Sequence, residues 1–158
     1  MTQRASKLTK ETWNVISANL KPLNKVAEQI FKKIIAGVTS DKAKYIGEKG
    51  GAIMQVVVEK IYHENDYGKV YAVGHYFIQN GDRMSDPEMT FLVNDADGRV
   101  YPLSFEQHGF FARYQESCEF ENGKLKTIIR KMNNEHKNFA NQWMKNINCQ
   151  QDLNKEWL

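Results

Sequence analysis

The residues of this chain best equipped for chemistry gather in its middle. Asp82, Asp86 and Glu88 surround the dipeptide Asn80-Gly81, and Asp95 and Asp97 sit at the next turn. Clustered carboxylates can hold a divalent cation through hard oxygen ligands. Asp95-Ala96-Asp97-Gly98 looks like the middle of a calcium loop. The first and twelfth positions of that loop would be Val93 and Ser104, and neither is a competent ligand. Turns between strands favour Asp and Asn for backbone reasons alone. No metal site is assigned.

The four histidines, His63, His75, His108 and His136, stand at no spacing that zinc sites use. His75 lies in an apolar run and reads as a hydrogen-bonded core or pocket residue. The chemical alternative is a His75 general base assisted by Asp82 or Glu106. Cys118 has acidic neighbours, Glu116, Glu119 and Glu121, which disfavour a thiolate. Nucleophile elbows, phosphate loops and dinucleotide fingerprints are absent. No catalytic residue and no cofactor is therefore assigned.

Two basic stripes compete with the acids for attention. Lys10, Lys21, Lys25 and Lys32 form one, and Arg130, Lys137 and Lys145 form the other. Such stripes can follow phosphates, but they also suit solvated helix faces. A further surplus is aromatic: Tyr71, Tyr76, Phe77, Phe91, Tyr101, Phe105, Phe110, Phe111 and Tyr114. These either fill a thick core or line a pocket or a protein-facing surface.

The elements that position these residues follow from periodicity. Thr9 can cap a helix, and Trp13, Ile16, Leu20, Leu23, Ala27, Ile30 and Ile34 share one face. Pro22 either kinks that helix or opens a second one, and Gly37 stops it. The seam suits core packing or a coiled coil. Residues 38–51 read as a connection with one helical turn at Asp41–Ile46. Strands are expected at Ala52–His63, Lys69–Gln79, Glu88–Asn94 and Arg99–Glu106, joined by Asn- and Asp-Gly turns. Asp86-Pro87 is expected to delay the third strand, and Pro102 marks an edge or a bulge. Phe110–Phe120 is ambiguous, with Tyr114–Ser117 a candidate fifth strand. A last helix is expected from Lys124, with Leu125, Ile128, Met132, Phe139, Trp143 and Ile147 on its apolar face.

The fold class expected is α+β: an antiparallel meander of four or five strands, with N-terminal helices and a long C-terminal helix packed on one face. One domain of 158 residues holds a helical region (1–37), the sheet (52–120) and the C-terminal helix (124–149). No apolar run is long enough to span a membrane, and no apolar stretch follows the basic start as a signal peptide needs. Two cysteines without metal spacing read as thiols in a reducing cytoplasm. The net charge of +3 is divided. Residues 1–60 carry 11 Lys/Arg against 5 Asp/Glu, residues 61–123 carry 4 against 11, and residues 124–158 carry 7 against 3.

The string NGDRMSDPEMTFLV, followed by an Asp-Gly turn, VYPLSFEQ and YQE, resembles a family of small uncharacterised bacterial, plasmid and phage proteins. Their pattern, NGD-x-x-x-DP-x-M-x-F, is matched here by Asn80, Gly81, Asp82, Asp86, Pro87, Met89 and Phe91, with Tyr114-Gln115 downstream. The resemblance implies a mobile-element context of regulators or inhibitors of host defence, and no activity.

The reading expected is a non-enzymatic, cytoplasmic protein-binding module. Asp82, Asp86, Glu88, Asp95 and Asp97 would meet a host or element-encoded protein. The first alternative is a small enzyme or ligand-binding protein with a pocket among His75, Tyr76, Phe91, Tyr101, Phe105 and Tyr114. The second is nucleic-acid binding through the basic helices.

Overall fold

A computed structural model describes residues 19–109 and 113–154. Helix α1 (Lys25–Ile35) starts where Asn24 caps it, the Asn24 Oδ1 accepting from Ala27 N at 2.9 Å. Its buried face is Ala27, Ile30, Phe31 and Ile34, the spacing of an amphipathic helix packed on a core. Pro22 lies before the helix and not in its first turn. Leu20 and Leu23 are buried from a non-helical segment, with Leu23 N donating to Val100 O at 2.9 Å. Gly37, at φ +84°, follows the helix end. Thr9, Lys10, Trp13 and Ile16 lie outside the described residues.

The architecture is the expected α+β one, with more strands than expected. Six strands form one antiparallel sheet in chain order: β1 (Lys44–Ile46), β2 (Val56–Ile61), β3 (Gly68–Gln79), β4 (Asp82–Asn94), β5 (Val100–Gln107) and β6 (Arg113–Glu116). A separate hairpin pairs β7 (Cys118–Glu121) with β8 (Lys124–Ile128), and helix α2 (Arg130–Gln150) follows as the last α-helix among the described residues. The helical turn expected near Asp41–Ile46 is strand β1, paired with Val56–Val58. Strand β4 does not wait for Pro87. It begins at Asp82 and accommodates the cis Asp86-Pro87 bond where the register slips, between Gly74↔Glu88 and Tyr76↔Ser85. A proline is tolerated where the ladder is already interrupted. Pro102 sits at the second such slip, opposite Phe91, and β5 is not an edge.

Residues 124–128 form β8 and not the start of a helix. Leu125, Ile128 and Met132 happen to fall at helical spacing, but Asn122 and Gly123, both at positive φ, turn the chain into a hairpin. Helix α2 buries Asn133, His136, Ala140, Trp143, Met144 and Ile147. Phe139, expected on that face, is 41% exposed at its margin, edge-on to Phe105.

Each face of the sheet carries its own core. On one, α1 and α2 pack over Val56, Val58, Tyr71, Val73, Met89 and Phe91. On the other, β7 and β8 cover Val70, Leu92, Tyr101 and Leu103 through Cys118 and Leu125. Burying each large apolar side chain contributes about 1.5–3 kcal/mol. Polar side chains then fix the register of α2. Trp143 Nε1 donates to His75 Nε2 at 3.0 Å, while His75 Nδ1 donates to Gln55 O at 3.1 Å. Asn133 donates to Pro102 O at 3.1 Å and accepts from Lys21 N at 3.1 Å. Among the described residues no helix is long and apolar enough to cross a membrane.

Trp143→Phe keeps most of the apolar contact but strips His75 Nε2 of its donor. Urea unfolding should show a loss of about 1–3 kcal/mol, against about 3–5 kcal/mol for Trp143→Ala. A Trp143→Phe protein as stable as the wild type would refute the structural role given to His75.

Candidate functional site

The β7–β8 hairpin covers only part of the second face, and what lies beyond it is polar. Two rungs of the sheet define that area. One runs Glu59, Ala72, Thr90, Ser104, Glu116; the other runs Val57, Gly74, Glu88, Glu106, Tyr114. Alternation along each strand sends these residues to the face opposite the helices. Glu88 and Glu106 are direct cross-strand neighbours, an arrangement that destabilises a sheet unless each charge is engaged. Each is. Tyr76 donates its hydroxyl to Glu88 Oε1 at 2.5 Å. His108 Nε2 lies 3.0 Å from Glu106 Oε1 and its Nδ1 accepts from Ser85 N at 2.7 Å, which puts the imidazole proton on Nε2. Thr90 and Ser104 hydroxyls pair at 2.5 Å between them.

Tyr76 reaches Glu88 because Gly74 has no side chain. A Cβ at Gly74 would lie 2.5 Å from both the Cζ and the hydroxyl of Tyr76, so the ring lies back across its own strand. Arg83 then stacks over that ring, its Cζ 3.6 Å from the centroid, and its Nη2 donates to Glu59 Oε1 at 3.1 Å. Burial, and then the neighbouring Glu88, push the Tyr76 pKa well above the usual phenol range. The phenol is therefore a hydrogen-bond donor and neither base nor nucleophile. Partial burial works against the Arg83 charge, but Tyr76 and Glu59 outweigh it and raise its pKa.

Tyr76 and Arg83 form one wall of a pocket of about 670 Å³. Phe77 and Ile78 extend that wall, Val57 and Tyr45 face it, and the chain segments Lys49–Gly51 and Met54–Gln55 complete it. Among the described residues, Lys49 and Arg83 are the charged ones of the lining, which holds no Asp, Glu, His or Cys. Gln55 is held in place by donating its Nε2 to Gly47 O at 3.0 Å.

The expected site residues are dispersed. Asp82 is exposed at one end of β4, and Asp95 and Asp97 lie past the other end, roughly 40 Å away at about 3.3 Å per residue. Asp97 accepts from Arg99 N at 2.9 Å and from the Tyr101 hydroxyl at 2.6 Å, and Asp86 accepts from Gln107 Nε2. The acids therefore make no single surface. His75 and Phe91 lie in the helix-side core, Phe105 stacks on His136, and Tyr101 lies in the other core. Tyr114 is 62% exposed on the polar area; burial and then Glu116 raise its pKa. Of these six, Tyr76 alone lines the pocket. Tyr45, Lys49 and Arg83 were not anticipated. The Arg83 position follows from the two-residue Asn80-Gly81 turn, which pairs it with Ile78.

Of the basic stripes, Lys21, Lys25 and Lys32 are exposed, and Lys32 pairs with Glu28 at 3.2 Å. Arg130 and Lys145 are exposed on α2. Cys118 is buried, which pushes its thiol up to about 11, with Glu116 adding to the rise and Ser117 opposing it.

A family model described as a domain of unknown function, DUF6908, matches residues 25–153. The chain belongs to that family. Among the described residues, the DUF6908 region thus spans everything from α1 to Leu153, the last of the core, and includes the pocket lining. No curated protein and no solved structure matches the chain.

Gly74→Ala should cost about 1–3 kcal/mol in the wild type, through loss of the Tyr76–Glu88 hydrogen bond. In a Tyr76→Ala background it should cost far less; equal costs in both backgrounds would show that Tyr76 does not depend on Gly74. A thiol reagent at neutral pH should label exposed Cys149 in the native protein and reach Cys118 only on unfolding. Rapid native labelling of both would contradict the burial described.

Proposed function

We propose that this protein is a non-enzymatic binding module. Its site is the pocket between Tyr45, Lys49 and the Tyr76–Arg83 wall, and its ligand combines a flat apolar body with an anionic group. The observation that carries this reading is the lining itself: aromatic and aliphatic side chains with Lys49 and Arg83 as the charged groups. A volume of about 670 Å³ lies within the range of small-molecule sites, which are largely apolar with a few placed polar groups. Arg83 is held flat by Tyr76 and anchored by Glu59. Little side-chain freedom remains to be lost when an anion meets its outward donors. A lining without carboxylate, imidazole or thiol, beside a Tyr76 phenol that stays protonated, supports binding over turnover.

A second reading, docking of a basic protein segment, draws support from exposed Tyr114, whose phenol feels the charges of Glu116, Glu106 and Glu88. On that reading the partner is a host or element-encoded protein. The resemblance of the Asn80–Phe91 segment to mobile-element proteins supports a regulator or inhibitor acting in the cytoplasm.

The pocket reading is tested with 8-anilinonaphthalene-1-sulfonate, an aromatic anion whose fluorescence rises in apolar sites. Saturable binding should weaken by about tenfold in Arg83→Gln, the loss of one charge-assisted hydrogen bond, with the far-ultraviolet circular dichroism unchanged. Binding unaffected by Arg83→Gln would sink it.

A further inference from the structure

We infer that the anionic ligand of this pocket is a nucleoside 5′-phosphate; the inference rests on the pocket reading above and narrows it to a chemical class. Three features of the lining select it. The first is charge. Lys49 and Arg83 both line the pocket and no acid does, although Glu59 binds Arg83 from the strand side. Lys49, with the Arg83 donors that Glu59 does not take, suits an anionic group such as a phosphate monoester.

The second is the backbone beside Lys49. Gly50 has φ +75° and a Cβ there would meet nothing within 4 Å; Gly51 follows it in the lining. Gly51 has the Glu48 side chain against it, so the bare main chain beside Lys49 is that of Gly50, where phosphate oxygens can approach closely. Lysine supplies a point charge and arginine a planar fork, the two ways proteins hold phosphate.

The third is the shape of the apolar part. Tyr45, Tyr76 and Phe77 bring aromatic rings to the lining; Tyr76 is taken up by Arg83 and Gly74, and the Tyr45 side chain is 64% exposed at the pocket edge. Rings of this kind stack on flat heterocycles, and stacking tolerates any base. Gln55 contributes a polar edge. Its Nε2 is committed to Gly47 O, which leaves the amide Oε1 as an acceptor for an exocyclic amino group or a sugar hydroxyl. Nucleoside phosphate, free or at the end of a strand, is the ligand chemistry that uses the cations, the Gly50 main chain and the rings together.

The test is calorimetric titration of the full chain with the four ribonucleoside 5′-monophosphates, a 5′-phosphorylated tetranucleotide, the matching nucleosides and inorganic phosphate. At least one 5′-phosphate should bind. Its nucleoside and phosphate alone should each bind at least about tenfold more weakly, and Arg83→Gln and Lys49→Gln should each weaken it by about tenfold. Lys49 is exposed in the described fold, so its variant remains informative if Arg83→Gln is unstable. Binding of the tetranucleotide alone assigns the site to a strand end, and binding of a monophosphate assigns it to free nucleotide; either supports the inference. A nucleoside that binds as tightly as its phosphate overturns it, as does affinity indifferent to both variants. If no nucleotide binds at millimolar concentration while the naphthalene sulfonate still binds through Arg83, the nucleotide class falls and the pocket reading stands. If neither binds, both fall.

Discussion

The constraint on which the rest of this structure depends is a mismatch of lengths. Strands β3 and β4 run for 12 and 13 residues, and both helices pack on one face of the sheet they centre. The cover on the other face is a hairpin of two short strands, which reaches Val70, Leu92, Tyr101 and Leu103 and no further along the rungs. A sheet face left to solvent cannot stay apolar without inviting association, so its open part is built from Glu, Thr, Ser and Tyr. Within it Gly74 lets Tyr76 fold back, Tyr76 supports Arg83, and Arg83 becomes a wall of the pocket. The site is thus a consequence of where the second layer ends.

The histidines illustrate how chemistry-bearing residue types are absorbed by such a fold. His75 ties α2 to the strand edge through Trp143 and Gln55. His108 bridges Glu106 and the backbone of Ser85. His136 stacks on Phe105, and burial lowers its pKa, with Arg113 adding to that effect against Glu135. His75 and His108 thus have both ring nitrogens engaged, whereas His136 meets Gln115 through Nε2 and its buried Nδ1 has no hydrogen-bond partner among the described residues.

Much of the fold was legible because its signals are local. Alternation in residues 69–79 and 88–94, the Asn80-Gly81 turn, the irregularity at Pro102 and a 3.6-residue period after position 130 all depend on near neighbours. The errors arose where two local signals compete. Leu125, Ile128 and Met132 satisfy helical spacing, yet Asn122-Gly123 makes them parts of different elements. Asp86-Pro87 reads as a strand breaker, yet β4 carries it at a bulge that only the register with β3 reveals. Little of the site was legible: Tyr76 alone of the pocket residues expected from the sequence lines it, though the turn could have placed Arg83. The contribution of Tyr45 and Lys49 could not be read, since it depends on where strand β1 and a glycine-rich segment settle against β2 and β3.

The central claim is spatial: a ligand enters between the Lys49–Gln55 segment and the β3–β4 hairpin, on the side of the sheet that the β7–β8 hairpin leaves open. The most direct measurement is an amide ¹H–¹⁵N chemical-shift map of the full chain during titration with an aromatic anion. The account predicts that the largest shifts cluster at Tyr45, Lys49–Gln55, Tyr76–Ile78 and Arg83, with α2 and β7–β8 unmoved. Shifts centred on Tyr114 and Glu116, or spread along the basic face of α2, would contradict it.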